Sequence, residues 1–206
     1  MPKPCRSSLM NSLKHTGRSL AVALMAMLMA CDAEPLYDTE YPVSFSFNVG
    51  WHQGTIAEDA LSIAGTFVFI SIPTDGNQRF VITPNNVERE EQLLPVSEIE
   101  QRAIEAQRQS AFGSMGINRR LLVGKTIFDG TLTAYDGHCP NCHHDTGKRD
   151  YPLTWADNRQ YLLCNTCGRT YNPNIGGAPT NAKSKSDLRL KLYRASYANN
   201  VLTVRN

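Results

Sequence analysis

Four cysteines, arranged as Cys139-Pro140-Asn141-Cys142 and Cys164-Asn165-Thr166-Cys167, constrain this chain more than any other feature. Two residues between thiols let one tight turn aim both sulfurs at a single tetrahedral ion about 2.3 Å away. Gly168, directly after the second unit, permits the backbone reversal such a turn needs. Twenty-one residues, 143 to 163, separate the two units, so whatever lies between must fold back to bring them together. Disulfides and an exposed redox pair are the competing uses of the same residues. A chain of 206 residues with 41% hydrophobic content can bury a core without covalent staples, which favours a metal over disulfides.

The chain holds six cysteines, and the other two sit near the start. Met1 to Ser19 carries Lys3, Arg6, Lys14 and Arg18 with no acidic residue, and the apolar run Leu20 to Ala30 follows. That is the layout of an export signal, and the run is too short for a bilayer span of about twenty residues. It closes on Leu28-Met29-Ala30-Cys31, which resembles the lipobox of bacterial lipoproteins. The resemblance implies removal of residues 1–30, Cys5 included, lipid on Cys31 and residence in the bacterial cell envelope outside the cytoplasm. Residues 31–40 then form a tether to the membrane, and 41–206 the working domain. The signal has no twin arginine, so the chain is expected to cross unfolded and to acquire any metal afterwards.

A net charge of +2 with 19% charged residues gives no basic stripe for nucleic acid and no disordered polyelectrolyte. No Ser-His-Asp arrangement, phosphate loop or paired-carboxylate site stands out, so no catalytic residue is assigned. The pattern after Tyr41 is dominated by strands. Val43, Phe45, Phe47 and Val49 alternate with polar residues, and Thr66 to Ile72 is a continuous β-branched and aromatic run ended by Pro73, Asp75 and Gly76. Arg79 to Ile82 returns from that turn. Short strands are predicted at 121–123, 132–135, 160–163, 188–193 and 201–204. One helix breaks the series: Ser97-Glu98-Ile99-Glu100 has capping-box spacing, and Ile99, Ala103, Ile104 and Ala106 continue an amphipathic face to about Ser110. The fold class is mainly β, an antiparallel sandwich or barrel with one short helix and a metal-binding subdomain at about 136–180.

The spacing of the two knuckles matches the zinc-ribbon pattern. Around them, Asp129-Gly130-Thr131-Leu132-Thr133-Ala134-Tyr135, Gly168-Arg169-Thr170-Tyr171, the loop Asn174-Ile175-Gly176-Gly177-Ala178-Pro179 and the closing Val201-Leu202-Thr203-Val204 resemble Rieske iron-sulfur domains. The resemblance implies a Rieske-like sandwich, with the knuckles at the cluster position. Rieske loops supply two cysteines and two histidines to a [2Fe-2S] cluster. Here Asn141 and Cys167 stand where histidines would fall, and only His144, completing Cys142-His143-His144, restores a C-x-H unit. Four thiolates lower a cluster's potential toward about −400 mV, which suits quinol oxidation poorly.

Two symmetric knuckles favour one ion over two bridged irons. The expected ligands are therefore Cys139, Cys142, Cys164 and Cys167, with His144 as an alternative, holding zinc or rubredoxin-like iron. A [2Fe-2S] electron carrier is the second reading. His138, His143 and His144 are expected as exposed loop residues, Lys148, Arg149 and Arg169 as solvated charges or partial neutralisers of the thiolates, and His52 as a packed or surface side chain. An envelope protein or redox partner is the expected macromolecular contact, with the membrane reached through Cys31.

Overall fold

The strand Phe67–Ser71 explains the architecture, because both of its faces are buried. Val68 and Ile70 point into one hydrophobic cluster, and Phe67 and Phe69 into a second. A strand buried on both sides reads as a continuous apolar run rather than as alternation. Its neighbour behaves alike: Leu121 and Val123 join the first cluster and Leu122 the second.

The computed structural model describes residues 36–109 and 115–206. The expected signal, lipobox, Cys31 and the first part of the tether lie outside the described residues. Leu36–Asn206 makes one compact unit. Twelve strands follow in chain order: β1 (Ser44–Asn48), β2 (Phe67–Ser71), β3 (Phe80–Pro84), β4 (Glu91–Leu93), β5 (Arg120–Lys125), β6 (Leu132–Asp136), β7 (Leu153–Trp155), β8 (Leu162–Cys164), β9 (Thr170–Asn172), β10 (Ala178–Pro179), β11 (Leu192–Ala198) and β12 (Val201–Arg205). The larger sheet has eight strands in the order β1-β12-β11-β6-β5-β2-β3-β4, and the smaller has four in the order β10-β9-β8-β7. Every strand pairing is antiparallel.

The fold is thus mainly β, as expected, and its layers divide the work. The first cluster, with Phe45, Phe47, Phe80, Ile82, Ile104 and Leu202, fills one face of the large sheet. The second lies between the sheets, where Phe67, Phe69, Leu122 and Tyr135 meet Leu153, Leu162, Tyr171, Leu190 and three of the cysteines. Burial of about twenty-five calories per mole per Å² of apolar area makes each cluster a strong organiser, and the second holds the candidate site.

Three helices occur among the described residues, where one was expected: α1 (Ile56–Ser62), α2 (Glu98–Gln109) and α3 (Pro140–Thr146). The expected helix is α2, but it turns a different face inward. Ile99 is 72% exposed, while Glu100, only 5% exposed, and Ile104 are buried. The cause is His52, whose Nε2 lies 2.7 Å from Glu100 Oε1 while its ring stacks on Phe47 at 5.2 Å. Glu100 Oε2 also accepts the Val96 N–H at 2.9 Å, so the buried carboxylate is fully partnered and displaces the apolar side chain beside it.

The described part of the expected tether packs on the domain. Asp38 N–H donates to Leu192 O at 2.8 Å, and Lys191 Nζ bridges Asp38 and Glu40 at 2.7 and 2.6 Å. Tyr41 continues this strap to the first knuckle, its hydroxyl hydrogen-bonded to His143 Nε2.

Candidate metal centre

A helix N-terminus and a tight turn between strands deliver the four sulfurs. The first follows β6, where Cys139 N–H donates to Tyr151 O at 2.9 Å and Cys139 becomes the N-cap of α3. Pro140 occupies the first helical turn, where a missing N–H costs nothing, and the Cys139 sulfur accepts the Cys142 N–H at 3.5 Å. The second joins β8 to β9: Cys164 N–H donates to Arg169 O at 2.9 Å and Gly168 N–H to Cys164 O at 2.8 Å. Gly168 has φ +69°, the left-handed conformation that the reversal demands. The matching bond in the first turn, His143 N–H to Cys139 O at 3.1 Å, continues into a helix instead.

The four cysteine sulfurs lie within 4.8 Å of one another. Cys139 Sγ stands 3.7 Å from Cys167 Sγ, and Cys142 Sγ 3.7 Å from Cys164 Sγ. A tetrahedral ion with metal–sulfur bonds of about 2.3 Å sets neighbouring sulfurs about 3.8 Å apart. The two contacts that cross between knuckles therefore already have the length of a tetrahedron's edge. All four thiols are free, and Cys139, Cys142 and Cys164 are buried while Cys167 is half-buried. This set can hold one metal ion.

The surroundings shape the thiols unequally. Burial pushes Cys139 up to about 11 and Cys142 higher still. At Cys167 burial also opposes ionisation, but the backbone N–H and guanidinium of Arg169 outweigh it and hold the thiol down at about 7. Arg169 is itself fixed by a bidentate pair with Asp187 at 2.9 Å to each oxygen, and Lys183 Nζ donates to Cys167 O. Arg169 thus offsets thiolate charge, one of the two roles expected for it.

A layer of polar residues supports the sulfurs. Tyr171 Oη lies 3.2 Å from Cys139 Sγ and accepts a hydrogen bond from Asn141 Nδ2 at 2.8 Å. Asn141 also pins the segment after Asp187: Leu188 N–H donates to its Oδ1 at 2.9 Å, and its Nδ2 reaches Leu188 O at 3.1 Å. Asp136, fully buried at the end of β6, accepts Ile117 N–H at 2.7 Å, Tyr193 hydroxyl at 2.9 Å and His138 N–H at 2.9 Å. None of these contacts was legible from motif spacing, since each joins residues that only the tertiary fold brings together, apart from the local Asp136 to His138 bond.

The histidines separate into two kinds. His138 and His143 are buried rather than exposed, because Asp136 takes the first and Tyr41 with Lys148 O, 2.7 Å from His143 Nδ1, takes the second. His144 is exposed, with its ring 3.4 Å from Asp145 and outside the group of four sulfurs. Arg149 lies over the Tyr41 ring at 5.5 Å. Among the described residues no helix is long and apolar enough to cross a membrane. Searches of the chain against protein-family models, curated proteins and solved structures return no match.

Proposed function

We propose that this chain is an envelope lipoprotein, anchored through lipid on Cys31, whose Rieske-like domain holds a single zinc or iron ion on Cys139, Cys142, Cys164 and Cys167. The observation that carries the metal reading is the pair of 3.7 Å sulfur contacts between knuckles within a group spanning 4.8 Å. Two bridged irons would place the thiolate pairs on opposite sides of the cluster and hold the pairs farther apart than a shared ion does. Support for the Rieske-like comparison is a small four-stranded antiparallel sheet whose β8–β9 turn holds the second knuckle, packed on a larger sheet whose β6 leads into the first. Support for the anchor is the sequence Leu28-Met29-Ala30-Cys31 after a basic stretch and an apolar run. A closed set of four protein ligands leaves no position for substrate, which makes the site structural or electron-carrying rather than catalytic.

Metal analysis with an absorption spectrum, on protein isolated from its native envelope without added metal, tests the reading. One equivalent of zinc without colour, or one of iron with a thiolate charge-transfer spectrum, is expected. Two irons with acid-labile sulfide and an EPR signal on reduction would replace it with a [2Fe-2S] electron carrier. A metal-free protein that folds normally would overturn both.

A further inference from the structure

The hairpin between β5 and β6 presents large apolar side chains to solvent on a braced loop. Phe128 is 78% exposed and Ile127 60% exposed, and Ile175 from the small sheet's side is also exposed. Monomeric soluble proteins rarely leave such residues together without a use. The loop is built to hold them out. Thr126 N–H donates to Thr131 O at 3.0 Å and Gly130 N–H to Thr126 O at 3.0 Å, closing the hairpin. Asp129 turns back to accept the Thr126 hydroxyl and, at 3.0 Å, the Thr131 N–H. Ile127 N–H donates to Asn174 Oδ1 at 2.9 Å, which ties the tip to the segment carrying Ile175.

The N-terminal strap starts from Tyr41 beside His143 at the knuckle end of β6 and heads back along β11 in the direction of this tip. Leu192 pairs with Tyr135 and Tyr193 with Ala134, so moving along β11 from Leu192 to Arg194 runs back along β6 toward Leu132 and the hairpin. Asp38 sits on Leu192, and the Tyr37 ring lies 5.1 Å from the Arg194 guanidinium. Tracing the chain from Asp38 back to Leu36 therefore leads toward the exposed tip. Leu36 is itself 72% exposed. Cys31 precedes it by five residues, a reach of at most about 17 Å. Exposed Arg189, whose guanidinium lies beside Gly176, and Arg194 place cationic groups at the rim of this end, suited to lipid phosphates.

We propose that Ile127 and Phe128, with Ile175 beside them, form a finger that rests in the surface of the bilayer and fixes how the anchored domain stands on it. The choice of a lipid surface over a protein rests on the anchor reading above, because the strap's N-terminal end heads toward the finger and the five residues back to Cys31 extend its reach. An acyl anchor alone holds a domain near a membrane without orienting it; a rigid apolar tip supplies the orientation.

The test uses the full chain isolated with its N-terminal modification and reconstituted in phosphatidylethanolamine and phosphatidylglycerol vesicles. A Phe128→Trp variant reports depth through quenching by brominated lipids, after subtraction of the wild-type signal from Trp51 and Trp155. Mass spectrometry of the N-terminal peptide is read in parallel. Quenching of the added indole, abolished when Ile127→Ser and Ile175→Ser are combined with it, supports the finger. A lipidated, vesicle-bound chain whose added indole stays water-exposed overturns the finger and leaves the anchor intact. Absence of lipid on Cys31 overturns the anchor, and quenching with added vesicles still decides the finger by the same rule. Shielding of the indole without lipid, at concentrations where the chain dimerises, assigns the surface to a second copy and overturns the proposal.

Discussion

The Tyr171 hydroxyl lies 3.2 Å from the sulfur of Cys139 and accepts the side-chain N–H of Asn141, so its own proton is directed at the sulfur. A thiolate that receives this proton in a hydrogen bond is stabilised without being protonated. Tyr171→Phe keeps the buried ring between the sheets and removes the bond. The expected result is a folded protein whose metal affinity falls by about 10- to 100-fold, the usual range for a lost partner of a ligand. Competition with a chromophoric chelator measures it, and an unchanged affinity would remove Tyr171 from the site's chemistry.

Removing the metal should act on the small sheet first. Three of the four cysteines are part of the cluster between the sheets, whereas the cluster on the other face of the large sheet contains none. On exhaustive chelation, backbone amides of β7 to β10 are expected to lose hydrogen-exchange protection while those of β1, β11 and β12 keep it. Cys164→Ser should reproduce the pattern. Uniform loss of protection across both sheets would contradict this division.

The apo thiols should titrate far apart. A free cysteine ionises at about 8.5. Cys167 is held down at about 7, so the metal-free fold gains stability as pH rises through the interval between about 7 and 8.5, where the folded thiol is already ionised. Cys139 is pushed up to about 11, so the same fold loses stability as pH rises above about 8.5 toward that value. Alkylation rates of the chelated protein against pH, read by peptide mass spectrometry, should show Cys167 reacting first with a midpoint near 7. Equal midpoints for the two residues would refute the assignment.

Glu100→Ala should cost about 2 kcal/mol, the scale for leaving buried hydrogen-bonding groups without their partner. It strips His52 Nε2 and the Val96 N–H of their acceptor at once. Urea unfolding measures the loss, and His52→Ala combined with Glu100→Ala should cost less than the two single changes added together. Additive losses would mean that the pair is not coupled.

Much of the large sheet could be read from the chain because its strands are long enough to show a period. The alternation from Val43 to Val49 and the apolar run from Thr66 to Ile72 bracket β1 and β2 within two residues at each end. Three-residue strands such as β4, β7 and β9 carry too few positions for any period to register. The inward face of α2 was misread because hydropathy treats Glu100 as a surface residue, and only a histidine forty-eight positions away makes its burial affordable. The four sulfurs were legible from spacing alone. Their supports, Tyr171, Asn141 and Asp136, were hidden because hydrogen bonds across tens of residues leave no local pattern.

The strap from Asp38 to Tyr41 also has a mechanical meaning. It runs along β11 through Lys191 and ends on His143, the residue after Cys142. Tension applied along the N-terminal segment would load these contacts in series, and the last of them adjoins a sulfur. A domain pulled from its N-terminus therefore carries the force to the edge of the cysteine cluster before any strand of the large sheet is peeled, which makes the knuckle the place where mechanical load and metal retention meet.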